Sequence, residues 1–178
     1  MSRNIILRPL SYLILFAGIL CIVSCSDKKS LKISRSKGGL QVKHIPLTIS
    51  DVPKELIQKI NYPYVRFYKT ELINGTDRPI KVIWFDGFFN DQGYWLAGNV
   101  RNKVLRGQDF IDWYFHKEDM DRDGWIRSGG KAICIVNWHW SESPDDFQVK
   151  WAYIGVDAQG NDYFIEAIVP GIKPVKLQ

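Results

Sequence analysis

The sequence predicts a mainly β fold, an antiparallel β-sandwich with one short helix at its N-terminal side, and three observations carry that expectation. After residue 62 the chain runs in aromatic and β-branched stretches, among them "YVRFYKTELI", "RPIKVIWF" and "FQVKWAYIGV", compositions that suit pleated, half-buried strands. Turn signals separate them: "NGTD" at 74–77 and "DAQGN" at 157–161 supply the asparagine and glycine that tight hairpins need. "KAICIVNWHW" alternates, which places Ala132, Cys134, Val136, Trp138 and Trp140 on one face and Lys131, Asn137 and His139 among the residues of the other. Six or seven such stretches with turns between them argue for two packed sheets.

The chain opens with "MSRNIILRPLSYLILFAGILCIVSC", in which Arg3 and Arg8 precede an apolar run over residues 10–23 broken by Ser11 and Gly18. A span needs about 20 apolar residues, so the run fits a secretory signal better. Its end, Ile22, Val23, Ser24 and Cys25, resembles a bacterial lipobox. That resemblance implies a bacterial lipoprotein, with residues 1–24 removed as signal peptide and a diacylglyceryl group on Cys25. Cys21 follows Leu20 rather than a small residue and matches less well. With two or three acyl chains, each methylene adding about 0.8 kcal/mol, the mature chain is expected to be anchored to a membrane without spanning it. By the best-known envelope sorting rule an aspartate after the cysteine retains a lipoprotein at the inner membrane; Ser26 stands there, which points to the outer membrane.

Residues 25–44 read as a flexible basic tether. After Cys25 they hold Lys28, Lys29, Lys32, Arg35, Lys37 and Lys43 against a single acid, Asp27, with Gly38 and Gly39 between. Such cations add about 1 kcal/mol each near an anionic headgroup surface, or they form a solvated linker. From residue 45 to 178, the expected sandwich domain, sixteen Lys or Arg face eighteen Asp or Glu. The basic balance therefore belongs to the signal and tether, and a nucleic-acid partner loses its electrostatic basis.

"TISDVPKELIQKIN" at 48–61 predicts one short helix, capped by Ser50 or Asp51, with Pro53 in its first turn and Leu56, Ile57 and Ile60 on one face. Two strands then flank the 74–77 turn. A loop, "DGFFNDQG", is expected before the strand "YWLAGNV", and a hairpin over the last strands. The strand, Asn-rich turn and strand of "KTELINGTDRPIKVIWFDG" are similar to the small immunoglobulin-like domains of bacterial envelope proteins. That resemblance implies an immunoglobulin-like sandwich and carries no chemistry.

Asp119, Asp121, Asp123 and Gly124 follow the first half of an EF-hand loop, whose ligands stand at positions 1, 3 and 5 with glycine at 6. Arg127 and Gly130 then occupy positions 9 and 12, where the pattern needs a ligand and a closing Glu, and the following stretch is β-rich. A calcium ion held by Asp119, Asp121 and Asp123 requires remote ligands such as Glu118. The alternative is a polar connection in which Asp side chains bond their own backbone and Gly124 takes a positive φ. No other cofactor is expected.

Catalytic patterns are absent: the chain has no Gly-x-Ser-x-Gly, His-Glu-x-x-His, phosphate loop or Cys-x-x-Cys. Cys134 lies on an apolar strand face and reads as a small hydrophobe. His44, His116 and His139 lack ligand spacing, and His139 reads as half-exposed. Phe88, Phe89, Tyr94 and Trp95 bracket a loop and are the candidate partner-binding aromatics in a chain with seven Trp. The function expected is a non-catalytic binding or scaffold lipoprotein for an envelope protein or glycan. A calcium-stiffened carbohydrate-binding module and an envelope enzyme or inhibitor are the alternatives.

Overall fold

The computed structural model describes residues 39–99, 101–114, 118–145 and 147–177. The expected signal peptide, Cys25, the tether up to residue 38 and His116 lie outside the described residues. In chain order the elements are β1 (Leu40–Pro46), α1 (Lys54–Ile57), β2 (Tyr64–Asn74), β3 (Ile80–Asp91), β4 (Tyr94–Ala97) and β5 (Leu105–Arg106). They continue with α2 (Gly107–Trp113), β6 (Trp125–Ile126), β7 (Lys131–Ser141), β8 (Val149–Val156), β9 (Asp162–Ile168) and β10 (Val175–Lys176).

Two long strands organise two antiparallel sheets, so the chain is mainly β as its composition predicts. β2 takes β7 along one edge and, end to end on the other, β1 over 68–74 and β10 over 64–65. β3 takes β8 along one edge, with β9 beyond it. Its other edge is shared by β6 at 80–81, β5 at 84–85 and β4 at 88–91. The sheets pack through Tyr68 and Leu72 of β2, Val82 and Phe85 of β3 and Trp151 and Tyr153 of β8. Asp109 accepts the Arg106 N–H at 3.0 Å and so fixes the start of α2. The helix drives Phe110 and the following Tyr114 into the same core, both fully buried.

Four sequence expectations need correction. Residues 40–44 are not tether: "LQVKH" alternates, Leu40 is buried, and the segment pairs with β2 as β1. The single helix over 48–61 divides into a 3₁₀ turn (Ile49–Asp51) and α1, because Pro53 forces Val52 into extended backbone at φ −103°, ψ 132°. α1, with Leu47 and Val52 on either side of the turn, covers the outer face of β2, where Val52, Ile60, Val65 and Phe67 form a second small core. Residues 86–91 are strand rather than loop, since β3 continues to Asp91 and only Gln92 and Gly93, both at positive φ, make the turn.

The fourth concerns β7. A register shift between Tyr68 and Thr70 leaves Ile135 and Val136 without one-to-one partners on β2, and an extra residue in one strand reverses its alternation. Ala132 and Cys134 accordingly join the core between the sheets. Val136 and Trp138 pack on the outer cluster with Phe67, which turns Asn137, His139 and Ser141 inward.

Candidate functional site

The inward turn of β7 opens a cleft. Among the described residues sheet one ends at β7 on the side away from β1, and a cavity of about 1090 Å³ runs between β7 and the second sheet. Its lining includes Phe89 of β3, Trp151 of β8, Trp113 of α2 and Phe147. Along β7, every residue from 136 to 141 lines it, so the wall is the strand's edge as well as one face. Four of the chain's seven Trp (113, 138, 140 and 151) border this space.

Local bonds hold the walls in place. The Gly98 N–H donates to the Gly87 carbonyl at 2.9 Å, and Asn99 Nδ2 donates to Asp86 Oδ1 at 2.9 Å and to the Lys103 carbonyl at 2.8 Å. A Cβ on Gly87 would lie 3.2 Å from the Gly98 oxygen and 3.3 Å from the Trp151 ring, so the close approach of the 98–102 segment depends on glycine there. Arg101 ties into this wall through Asp109 Oδ1 at 2.5 Å and lies with its guanidinium 5.3 Å from the Trp113 ring centre. At the end of β7 the buried Arg66 donates to Ser141 Oγ at 2.8 Å and to the carbonyls of Pro144 (3.0 Å), Asp145 (2.8 Å) and Ile172 (3.1 Å). The cation thereby fixes the loop that carries Phe147.

The polar groups of the cleft are mostly engaged within the protein. Asn137 Nδ2 donates to Thr70 Oγ1 at 3.3 Å, and Trp151 Nε1 donates to the Tyr68 hydroxyl at 2.9 Å. His139 is different. Packed beside Tyr68 and Phe147, it has both ring nitrogens shut off from solvent, with no hydrogen-bond partner among the described residues. Burial, aided by the Arg66 and His44 charges, holds its pKa down at about 3, so the ring is neutral across the physiological range. Cys134 is pushed up to about 12 by burial and is an inert thiol.

The sequence-predicted aromatics divide. Phe88 and Phe89 line the cleft. Trp95 pairs across the hairpin with Asn90 and shares the Lys150 ammonium with Phe88, at 4.6 Å and 5.6 Å from the two rings. Tyr94 is 75% exposed and stands clear of it. Sequence reasoning missed Trp113, Phe147, Trp151 and the inward edge of β7. Its only signal for them was the tryptophan count.

In the acidic loop, Asp119 accepts the Lys131 N–H at 3.1 Å and pairs with Arg127. Asp121 Oδ1 accepts the N–H groups of Asp123 (3.0 Å) and Trp125 (2.9 Å), which folds the loop on itself, while Asp123 is exposed. Gly124 takes φ +85°, and a Cβ there would meet Ile111 Cγ1 at 2.8 Å. Among the described residues no three His, Cys, Asp or Glu side chains converge where they could hold a metal ion. Removing the two amide bonds with Asp121→Ala is expected to cost about 1–2 kcal/mol in urea unfolding, with or without millimolar calcium. A rise in Tm with calcium that this variant abolishes would instead establish Asp119, Asp121 and Asp123 as a metal site.

No protein-family model and no curated protein matches the chain. Among solved structures, a Bordetella pertussis chain assigned the name ApaA is similar at 12% identity, over 77% of this chain and 95% of that one, with a TM-score of 0.41. A Northeast Structural Genomics Consortium X-ray target is similar at 17% identity over 78% of this chain and 83% of that one, with a TM-score of 0.38. Neither likeness bears on function.

Proposed function

We propose that the chain is a lipid-anchored, non-catalytic binding protein of the bacterial cell envelope, with an immunoglobulin-like domain that holds an envelope protein in the cleft beside β7. The observation that carries this reading is the cleft of about 1090 Å³, walled by aromatic side chains from α2, β3, β7 and β8. Aromatic anchors concentrate binding energy at protein interfaces because they bring a large rigid area at low entropic cost. Exposed apolar residues of its lining favour a macromolecular partner: Phe89 and Trp140 are each 37% exposed. Tethering through Cys25, on the outer membrane as Ser26 suggests, keeps the domain near such a partner.

The test is a photo-crosslinking residue placed at Phe89 in the full chain in bacterial cells, compared with the same residue at Gln159 on the remote β8–β9 turn. An adduct with an envelope protein from position 89 alone is expected. Equal adducts from both positions, or none, would sink the proposal. In the same cells Cys25→Ser is expected to move the chain from the membrane to the soluble fraction; a variant still in the membrane fraction would remove the lipid anchor from the reading.

A further inference from the structure

We infer that the partner contributes an extended peptide strand, apolar at alternate positions, which pairs with the free edge of β7 and completes the first sheet. This rests on the cleft reading and specifies its occupant. The direction of the β7 backbone follows from the pairing on the far side of β2. The Phe67 carbonyl accepts the Leu47 N–H at 2.9 Å and the Pro63 carbonyl accepts the Leu177 N–H at 3.0 Å, so odd-numbered residues in this part of β2 face β1 and β10. Phe67 is opposite Trp138 and Val65 opposite Trp140. These are therefore non-hydrogen-bonded pairs, and the backbone groups of Trp138 and Trp140 point away from β2, into the open side.

Among the described residues no backbone group pairs with that edge. Side chains occupy three of its positions. Asp119 Oδ2 accepts the Lys131 N–H at 3.1 Å. Asn137 Oδ1 accepts the Trp138 N–H at 2.9 Å, and the Cys134 thiol donates to the Val136 carbonyl at 3.5 Å. Each occupies a place that a neighbouring strand's amide would take. An unpaired row of N–H and C=O groups at strand spacing is complementary to another peptide backbone and to little else. The cleft in front of the edge supplies pockets for every second side chain of such a strand, bounded by Trp113, Trp151, Phe89 and Phe147. A compact ligand would fill the aromatic space and leave the edge unused.

The probe is a displayed library of random nonapeptides selected against the full-length Cys25→Ser chain. The peptides expected from it carry apolar residues at alternate positions, lack central proline, and slow amide exchange at Trp138 and Trp140. Methylating alternate backbone nitrogens of one such peptide preserves every side chain. It is expected to weaken binding roughly 100-fold in one methylation phase and little in the other, since two or three main-chain hydrogen bonds are lost together. On the protein side Trp140→Pro, which removes an edge N–H as well as the ring, is expected to lose more binding than Trp140→Phe, which keeps that N–H and an aromatic ring. Equal binding by both methylated forms, or a library that yields no binder, overturns strand addition. If position 89 still crosslinks an envelope protein in either case, the cleft reading stands and only its occupant is wrong; if both experiments fail, the cleft reading falls too.

Discussion

Phe85→Ala is expected to destabilise the domain by about 3–5 kcal/mol, the cost of deleting a fully buried ring and leaving a cavity. The size follows from position. Phe85 has no solvent exposure and lies where β3 is paired on both edges, with Leu105 of β5 and Tyr153 of β8. Its ring is in edge contact with Phe110, Trp113 and Tyr114 at centroid distances of 5.5, 5.5 and 5.8 Å, and it stacks on Trp151 and Tyr153 at 6.1 and 6.2 Å. Neighbours clamped by two sheets and a helix relax little into the space. Two of these rings, Trp113 and Trp151, line the cleft, so partner binding is expected to weaken together with stability. Urea denaturation monitored by tryptophan fluorescence measures the loss. Val104→Ala, at a site 56% exposed, is the control and should change stability by less than about 0.5 kcal/mol. A loss of the same small size at Phe85 would show that α2 does not pack as described.

The parts of this fold legible in the sequence are those set by neighbours in the chain. The "NGTD" turn is one: Asn74 Oδ1 accepts the Thr76 N–H at 3.0 Å, and the buried amide donates to the Arg78 carbonyl at 2.7 Å. "DAQGN" is another, with Asp157 Oδ1 accepting the Gln159 and Asn161 N–H groups at 2.9 Å each. Gly124 in the acidic loop has the positive φ that the polar-connection reading assigned to it. β1 was legible too, in the alternation of "LQVKH", but the cations before it dominated the composition. The strand of β7 was legible, but neither the inward phase of its second half nor the cleft could be read this way. The bulge at Ile135 and Val136 is a fact about pairing with β2, and "CIVNW" alternates in either phase; His139 is half-buried as its sequence position implies, but it faces the cleft. The cleft draws together Phe89, Trp113, Trp138, Phe147 and Trp151, residues from four elements and a loop that no local spacing relates.

Acidification from pH 6.5 towards pH 4 is expected to weaken the fold well before the carboxylates titrate. Burial lowers His44 from 6.5 to about 4. Burial first, then the Arg66 and His44 charges, lower His139 from 6.5 to about 3. The unfolded chain therefore takes up two protons near pH 6.5 that the folded chain refuses until much lower pH, and stability falls as pH drops through that window. Each unit of separation is worth about 1.4 kcal/mol, so the two rings together remove several kcal/mol by pH 4. Glu71 and Asp109 are held below the usual carboxylate range by Lys69 and Lys103, and their stabilisation is lost only at still lower pH. Asp86 acts in the opposite sense: burial raises it, so between its raised value and the ordinary carboxylate value the fold takes up a proton that the unfolded chain does not, and it offsets part of the loss within the same interval. The two imidazoles, lowered to about 4 and about 3, outweigh that one group. His139→Leu should remove about half of the stability slope there and leave the domain as stable as the wild type, or more so, at pH 7. Its two nitrogens have no partner among the described residues, so their removal costs none of the hydrogen bonds described and relieves the cost of burying them. Urea midpoints at pH 7, 5.5 and 4.5 decide the matter: an unchanged slope in the variant would mean that His139 takes up its proton in the folded state, which the inward phase of β7 beyond the bulge does not permit.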